Sequence, residues 1–166
     1  TAAEYDGSLP RFCDDLEAKT HVVETAQEII LTRVFDGLPP ANRNGIGVLS
    51  LSDIPLARNE ASAMLMNVLG LEDGAVAALL RQLRSTGLIE VFGGDQFKIH
   101  DAMRLLGQSH LETLGKKVVR KAQVALKDLI AASLKQQWEM PKLSLYLRML
   151  AAIGDIKTLV QFATDE

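Results

Sequence analysis

The chain has 166 residues, 48% hydrophobic and 23% charged, with 18 basic against 21 acidic side chains and a formal net charge of -3. That hydrophobic share excludes a disordered chain, and no apolar run approaches the ~20 residues of a membrane span. A single cysteine, Cys13, excludes a disulfide scaffold and cannot anchor a zinc cluster. Thr1-Ala2-Ala3-Glu4 lacks the basic and apolar segments of a signal peptide, so the expectation is a reducing, cytoplasmic location with no membrane partner. The start at Thr1, without methionine, suggests a piece of something longer.

In chain order, apolar spacing predicts helices with one hairpin. Leu16, Val22, Val23, Ala26, Ile29, Ile30 and Val34 recur at three- and four-residue steps, which predicts a helix over 14–35 ending before Gly37. Pro39-Pro40 opens a shorter helix through Ile46, Val48, Leu49 and Leu51, weakened by Gly45 and Gly47. Ser52-Asp53-Ile54-Pro55 reads as a turn and cap before a helix over 57–69 that stops at Gly70. Glu72-Asp73 places acids at the start of another helix, with Val76, Leu79, Leu80 and Leu83 as its apolar positions and Gly87 at its end.

The period then changes. Leu88-Ile89-Glu90-Val91-Phe92 and Gln96-Phe97-Lys98-Ile99 read as strands joined by Gly93-Gly94-Asp95, with positive φ expected at the glycines. Helices resume after Asp101, first through Met103, Leu105, Leu106 and Leu111, then through Val118 to Leu134. Pro141 opens a further helix, and Gly154-Asp155 reads as the tight turn into a last short one. Trp138, the sole tryptophan, is expected to be buried. The fold class is therefore mainly α: a winged helix, with three helices and a β-hairpin wing, followed by a helical bundle or the start of helical repeats. The expected domains are a leading helical segment over 1–36, a winged helix over 37–114 and a C-terminal helical region over 115–166.

Charge is unevenly placed. Residues 1–30 hold seven acids and two bases, whereas residues 115–148 hold eight bases and two acids. Catalysis finds little support. His21, His100 and His110 share no metal-ligand spacing, and no Gly-Lys-Ser/Thr follows Gly93-Gly94. Cys13 lies beside Asp14, Asp15 and Glu17, which oppose a thiolate. No catalytic residue, metal ligand or enzymatic activity is assigned. A winged helix suggests DNA, and the helix that would enter the major groove carries Arg81, Gln82, Arg84 and Ser85. Its first turn is Glu72-Asp73-Gly74-Ala75, whose acids repel phosphates, so DNA is the less favoured partner.

At the end of the second strand, Phe97-Lys98-Ile99-His100-Asp101 joins strand to helix, and Asp101 is suited to cap that helix. Together with Phe35-Asp36-Gly37-Leu38-Pro39-Pro40 and the stretch Val76 to Leu88, this corner resembles the winged-helix region of the signal-transduction ATPases with numerous domains (STAND, NB-ARC-like). That group includes apoptotic and plant-immunity ATPases and many bacterial regulators. The resemblance covers about residues 25–112, without the ATPase core.

The resemblance implies that His100 matches the histidine of a Met-His-Asp motif that contacts the β-phosphate of bound ADP and holds an inactive state. Asp101 matches the aspartate, and Ile99 stands in place of methionine. His100 and Asp101 are thus the implied cofactor-binding residues, with ADP or ATP held by the parent protein and no cofactor in the isolated chain. The implied function is a non-catalytic regulatory relay in a nucleotide switch. Its implied partners are an intramolecular ATPase core and other proteins reached through the C-terminal helices. The alternative is a winged-helix DNA-binding transcription regulator, and a third reading is a pure protein-interaction scaffold.

Overall fold

A computed structural model describes residues 29–93 and 95–164. The chain divides into two compact units, Thr1–Gly37 and Leu38–Glu166. In the first, residues 29–36 are helical, and the Gly37 N–H closes the last turn onto the Arg33 carbonyl at 3.0 Å. Residues 14–28 of the expected leading helix lie outside the described residues, as do Cys13 and His21.

The second unit is mainly helical with a small three-stranded antiparallel sheet. Helix α1 (Pro40–Leu49) starts on a proline, whose missing N–H leaves nothing unsatisfied in the first turn. Its glycines, expected to weaken it, have a packing role. A Cβ on Gly45 would stand 2.9 Å from Leu79 Cδ2, and one on Gly47 would stand 3.2 Å from the Gly107 carbonyl. Their small size lets two other helices approach the α1 backbone, which offsets the weaker helix propensity of glycine.

Ser52 Oγ donates to the Ile54 carbonyl at 2.7 Å, so the 52–55 segment is a turn, as expected, but it does not cap the following helix. Leu56–Ala57 forms a short strand, β1, and helix α2 (Arg58–Leu69) follows it directly. The cap comes from inside α2, where Glu60 Oε2 accepts the Ala57 N–H at 2.8 Å. Helix α2 stops at Gly70, whose φ of +67° is the left-handed conformation that favours glycine. Helix α3 (Asp73–Ser85) buries Val76, Leu79, Leu80 and Leu83, the stripe expected from the sequence.

Strands β2 (Ile89–Phe92) and β3 (Gln96–Ile99) pair Ile89 with Ile99, Glu90 with Lys98 and Val91 with Phe97. Strand β1 adds to the other edge of β3, with Leu56 opposite Phe97, giving the order β1-β3-β2. In the described part of the hairpin turn, positive φ falls on Asp95 (+59°) and not on Gly93. An aspartate tolerates this conformation better than most residues, and the Asp95 carbonyl also accepts the Arg58 N–H at 3.1 Å.

Helix α4 (Asp101–Thr113) buries Met103, Gly107 and Leu111, one stripe at four-residue steps. Leu105, expected on that stripe, is 71% exposed. The Gly107 face packs on α1, where Ile46 and Ser50 fill the space a side chain would need. His110 Nε2 stands 2.9 Å from Asn44 Oδ1, and Gln108 Nε2 donates to the Ser50 carbonyl at 2.9 Å, so both tie α4 to α1.

Helix α5 (Lys116–Gln136) packs against α2 and against α6 (Met140–Ile153), with Leu126, Ile130, Leu145 and Leu150 fully buried. Helix α7 (Ile156–Thr164) follows the expected turn at Gly154 (φ +74°). Its first turn is capped by the Asp155 carboxylate, which accepts from the Thr158 N–H and hydroxyl at 3.2 and 2.9 Å. Trp138 is 61% exposed and not buried, and its ring stacks on Phe162 of α7, with ring centres 6.3 Å apart and planes within 5°. No single helix among the described residues is long and apolar enough to cross a membrane.

Candidate functional site

The strand-to-helix corner is built from both sides. Ile99 ends β3 and is 1% exposed, so the apolar core anchors the residue before the histidine. The His100 N–H donates to the Leu88 carbonyl at 3.1 Å, and the His100 carbonyl accepts the Met103 N–H at 2.8 Å. The backbone of His100 is thereby tied to the residue before β2 on one side and to helix α4 on the other.

The helix cap is His100 and not Asp101, the residue expected to serve. His100 occupies the position before the first helical residue, and its Nδ1 accepts the Ala102 N–H at 3.3 Å. The reason is geometric: Asp101 is already the first residue inside the helix, where its own backbone is helical. An Nδ1 that accepts a hydrogen bond leaves the proton of the neutral ring on Nε2. That nitrogen belongs to a half-exposed side chain and stands 3.7 Å from Glu90 Oε1.

Asp101 faces cations instead. Lys98 Nζ stands 2.9 Å from its carboxylate, and Arg104 Nε lies 3.8 Å from Oδ1. The Lys98 hydrogen bond, against the cost of burial, holds the Asp101 carboxyl below the ordinary carboxylate range, and the charges of Lys98 and Arg104 act in the same direction. An acid in the first turn also suits the positive end of the helix. Arg104 Nε itself is buried and has no hydrogen-bond partner among the described residues.

A second charged contact joins the turn before β1 to helix α6. Asp53, in the turn before β1, accepts from Arg148 of α6 at 2.6 Å. Burial raises its carboxyl, but the hydrogen bond and charge of Arg148 outweigh this, and the Arg104 charge adds to them, so the net shift is downward. One arginine, Arg104, therefore acts on both Asp53 and Asp101.

Chemically, the corner offers one half-exposed imidazole donor, 3.7 Å from the Glu90 carboxylate, beside two cations that an acid already engages. It can make a point contact to an anion. It is not a phosphate cradle of backbone N–H groups, and no cluster of three or more His, Cys, Asp or Glu side chains suited to a metal occurs among the described residues.

Sequence reasoning singled out His100 and Asp101 but missed Glu90, Lys98, Arg104, Asp53 and Arg148. Three of these had a readable signal. Lys98 and Arg104 stand three residues either side of Asp101, and Glu90 lies opposite Lys98 once the hairpin register is known. The Asp53–Arg148 pair spans 95 residues and had none. No protein-family profile, curated protein or solved structure matches the chain.

Proposed function

We propose that the chain is a non-catalytic regulatory relay of a nucleotide-switched signalling ATPase, with a winged helix over 37–114 and a sensor-side helical region over 115–166. In this reading His100 donates from Nε2 to the β-phosphate of ADP held by an upstream ATPase core, with Asp101 fixing the corner. The observation that carries it is the capping role of His100 Nδ1, which leaves Nε2–H as the donor on a half-exposed ring. A histidine locked in this way offers its proton at a fixed point. Gain or loss of a phosphate there changes one hydrogen bond and so biases a two-state arrangement.

The winged-helix part of the reading is supported by element order. Helix, strand, two helices and a hairpin, with the first strand added beside the last, is the order a winged helix requires. The sequential packing of α5 on α6 and α6 on α7 suits the start of a helical array. The test is His100→Ala in the complete parent protein. Faster ADP release and raised basal activity are expected; unchanged ADP retention sinks the assignment.

The DNA-binding reading keeps one observation in its favour, the exposure of Arg81 and Arg84 on α3. It is tested by a gel shift at low salt, where absence of retardation at micromolar protein removes it.

A further inference from the structure

We propose that the cleft between the last turn of α2 and the first turns of α5 is a binding site for a phosphate monoester, held by Lys117, Arg120 and Lys121. The site shares no residue with the His100 corner and does not depend on the nucleotide reading of it.

The cleft has a volume of about 360 Å³. Pockets for small ligands begin near about 300 Å³, so it suits one compact group. Asn67 of α2 lines one side, and Lys117, Arg120 and Lys121 of α5 line the other. Arg120 and Lys121 follow Lys117 by three and four residues, so both are its neighbours on the helix surface, with Cβ atoms about 5–6 Å away. Val124 and Ala125 continue the lining as an apolar stretch. Asp128 also reaches the cleft, but its charge is met by Lys127 Nζ at 2.8 Å.

The cations at the cleft are not balanced within the described residues. The first turn of α5 holds no acid, and Lys117 stands near the positive end of the helix, which disfavours a cation. Like charges four residues apart add to that cost. The ion pairs of α5 and α6 involve Lys127, Lys142 and Arg148, whereas Lys117, Arg120 and Lys121 form none among the described residues. An anion in the cleft removes the imbalance.

Two of the three heads are already held in place. Arg120 Nη1 donates to the Ile153 carbonyl at 3.1 Å, and Lys121 Nζ donates to the Val68 carbonyl at 3.5 Å. A guanidinium and an ammonium each carry more N–H groups than the one used here, so both can still donate. A group small enough to enter the cleft meets them where they lie. A duplex stays outside and has to draw them off those carbonyls.

Three cations around one small space call for more than a single negative charge. A phosphate monoester brings a charge of about −1.5 to −2 at pH 7 and three strong acceptor oxygens, whereas a carboxylate brings a single charge. Arg120 supplies planar donors suited to phosphate, and the lysines act as point charges. Val124 and Ala125 leave an apolar surface for the carbon skeleton of the ester.

The test titrates the 166-residue chain, labelled with 15N, with inorganic phosphate at constant ionic strength. Saturable amide shifts are expected at residues 117–121 and at Asn67 and Val68. Lys117→Gln should weaken binding about threefold to tenfold. The fold should survive that change, because Lys117 makes no hydrogen bond or ion pair among the described residues. Adding Lys121→Gln should abolish the shifts. Lys135→Gln removes the same charge away from the cleft and should leave the affinity unchanged. Glycerol phosphate and a phosphoserine peptide, with its unphosphorylated form, identify the carrier. Tighter binding of glycerol phosphate assigns a free metabolite, and tighter binding of the phosphopeptide alone assigns a phosphorylated protein. The proposal is overturned if phosphate gives no saturable shifts at the cleft, or if acetate reproduces them with equal affinity. It is equally overturned if Lys135→Gln weakens binding as much as Lys117→Gln.

Discussion

Replacing Gly107 by alanine puts the helix packing at the centre of the second unit to a quantitative test. A Cβ at this position would stand 2.9 Å from both Ile46 Cγ2 and Ser50 Cβ, and 3.1 Å from the Ile46 carbonyl oxygen. Carbon pairs attract at about 3.5–4.0 Å, so two of these contacts are strongly repulsive. The third neighbour is backbone and cannot rotate away. Relief requires α1 and α4 to separate, which also loosens the contact between Gly47 and Leu111. Overpacking of this kind costs about 1–3 kcal/mol, while exchanging glycine for alanine inside a helix returns up to about 1 kcal/mol. The net expectation is a loss of about 1–2 kcal/mol, or a fall of roughly 4–8 °C in Tm for a unit of this size. Urea and thermal unfolding measure it directly. Gly74→Ala is the control, since nothing lies within 4 Å of its Cβ and the change should be neutral or stabilising. A Gly107→Ala protein as stable as the parent, with the same urea dependence, refutes the close-approach account.

Three further outcomes follow from single contacts. Leu126→Ala removes a fully buried side chain from α5 and should cost about 2–5 kcal/mol in urea unfolding, with α5 and α6 loosening together. Asp53→Asn should lower stability at neutral pH. The folded carboxyl is held below its ordinary value, so its contribution is present above about pH 4 and lost as pH falls through the depressed folded value. Wild-type and variant urea midpoints should accordingly separate at pH 7 and converge at strongly acid pH. Trp138, the sole tryptophan and 61% exposed, should show red-shifted fluorescence that iodide quenches readily, and a shielded, blue-shifted emission contradicts this exposure.

How much of this was legible in the sequence depends on the range of the interaction that decides each feature. The α3 stripe Val76, Leu79, Leu80 and Leu83 is set by periodicity within one helix, and it was read correctly. So were the stops at Gly70 and Gly154, where a positive φ is a local demand. Strand β1 escaped because two residues show no alternation; Leu56 is a strand residue only because Phe97 is beside it. The type of Leu105 points to the core, yet the buried stripe of α4 runs through Gly107, and a glycine carries no apolar signal. At the corner, the residue types were legible but their division of labour was not. Whether His100 or Asp101 caps α4 turns on which of them is the first residue with helical backbone, a difference of one position that propensity does not resolve.

The basic C-terminal stretch bears on the choice between the two functional readings. Eight cations crowd residues 115–148, and five of them have intramolecular work. Arg120 donates to the Ile153 carbonyl at the end of α6, and Lys121 donates to the Val68 carbonyl near the end of α2. Cations favour both places, because the last carbonyls of a helix lack partners and carry partial negative charge. Lys127 meets Asp128, Lys142 bonds Ser133 Oγ beside Glu139, and Arg148 holds Asp53. A side chain that already closes a helix end or an ion pair gives up that contact to reach a phosphate, so it adds less to DNA affinity than a solvated lysine would. Apart from Lys127, which pairs within α5, these cations tie α5 and α6 to each other and to the rest of the second unit, as a relay requires. The salt dependence separates the cases: a DNA-binding helix should show a steep slope with several released counterions, whereas this arrangement should show almost none, and its salt sensitivity should appear in folding stability instead.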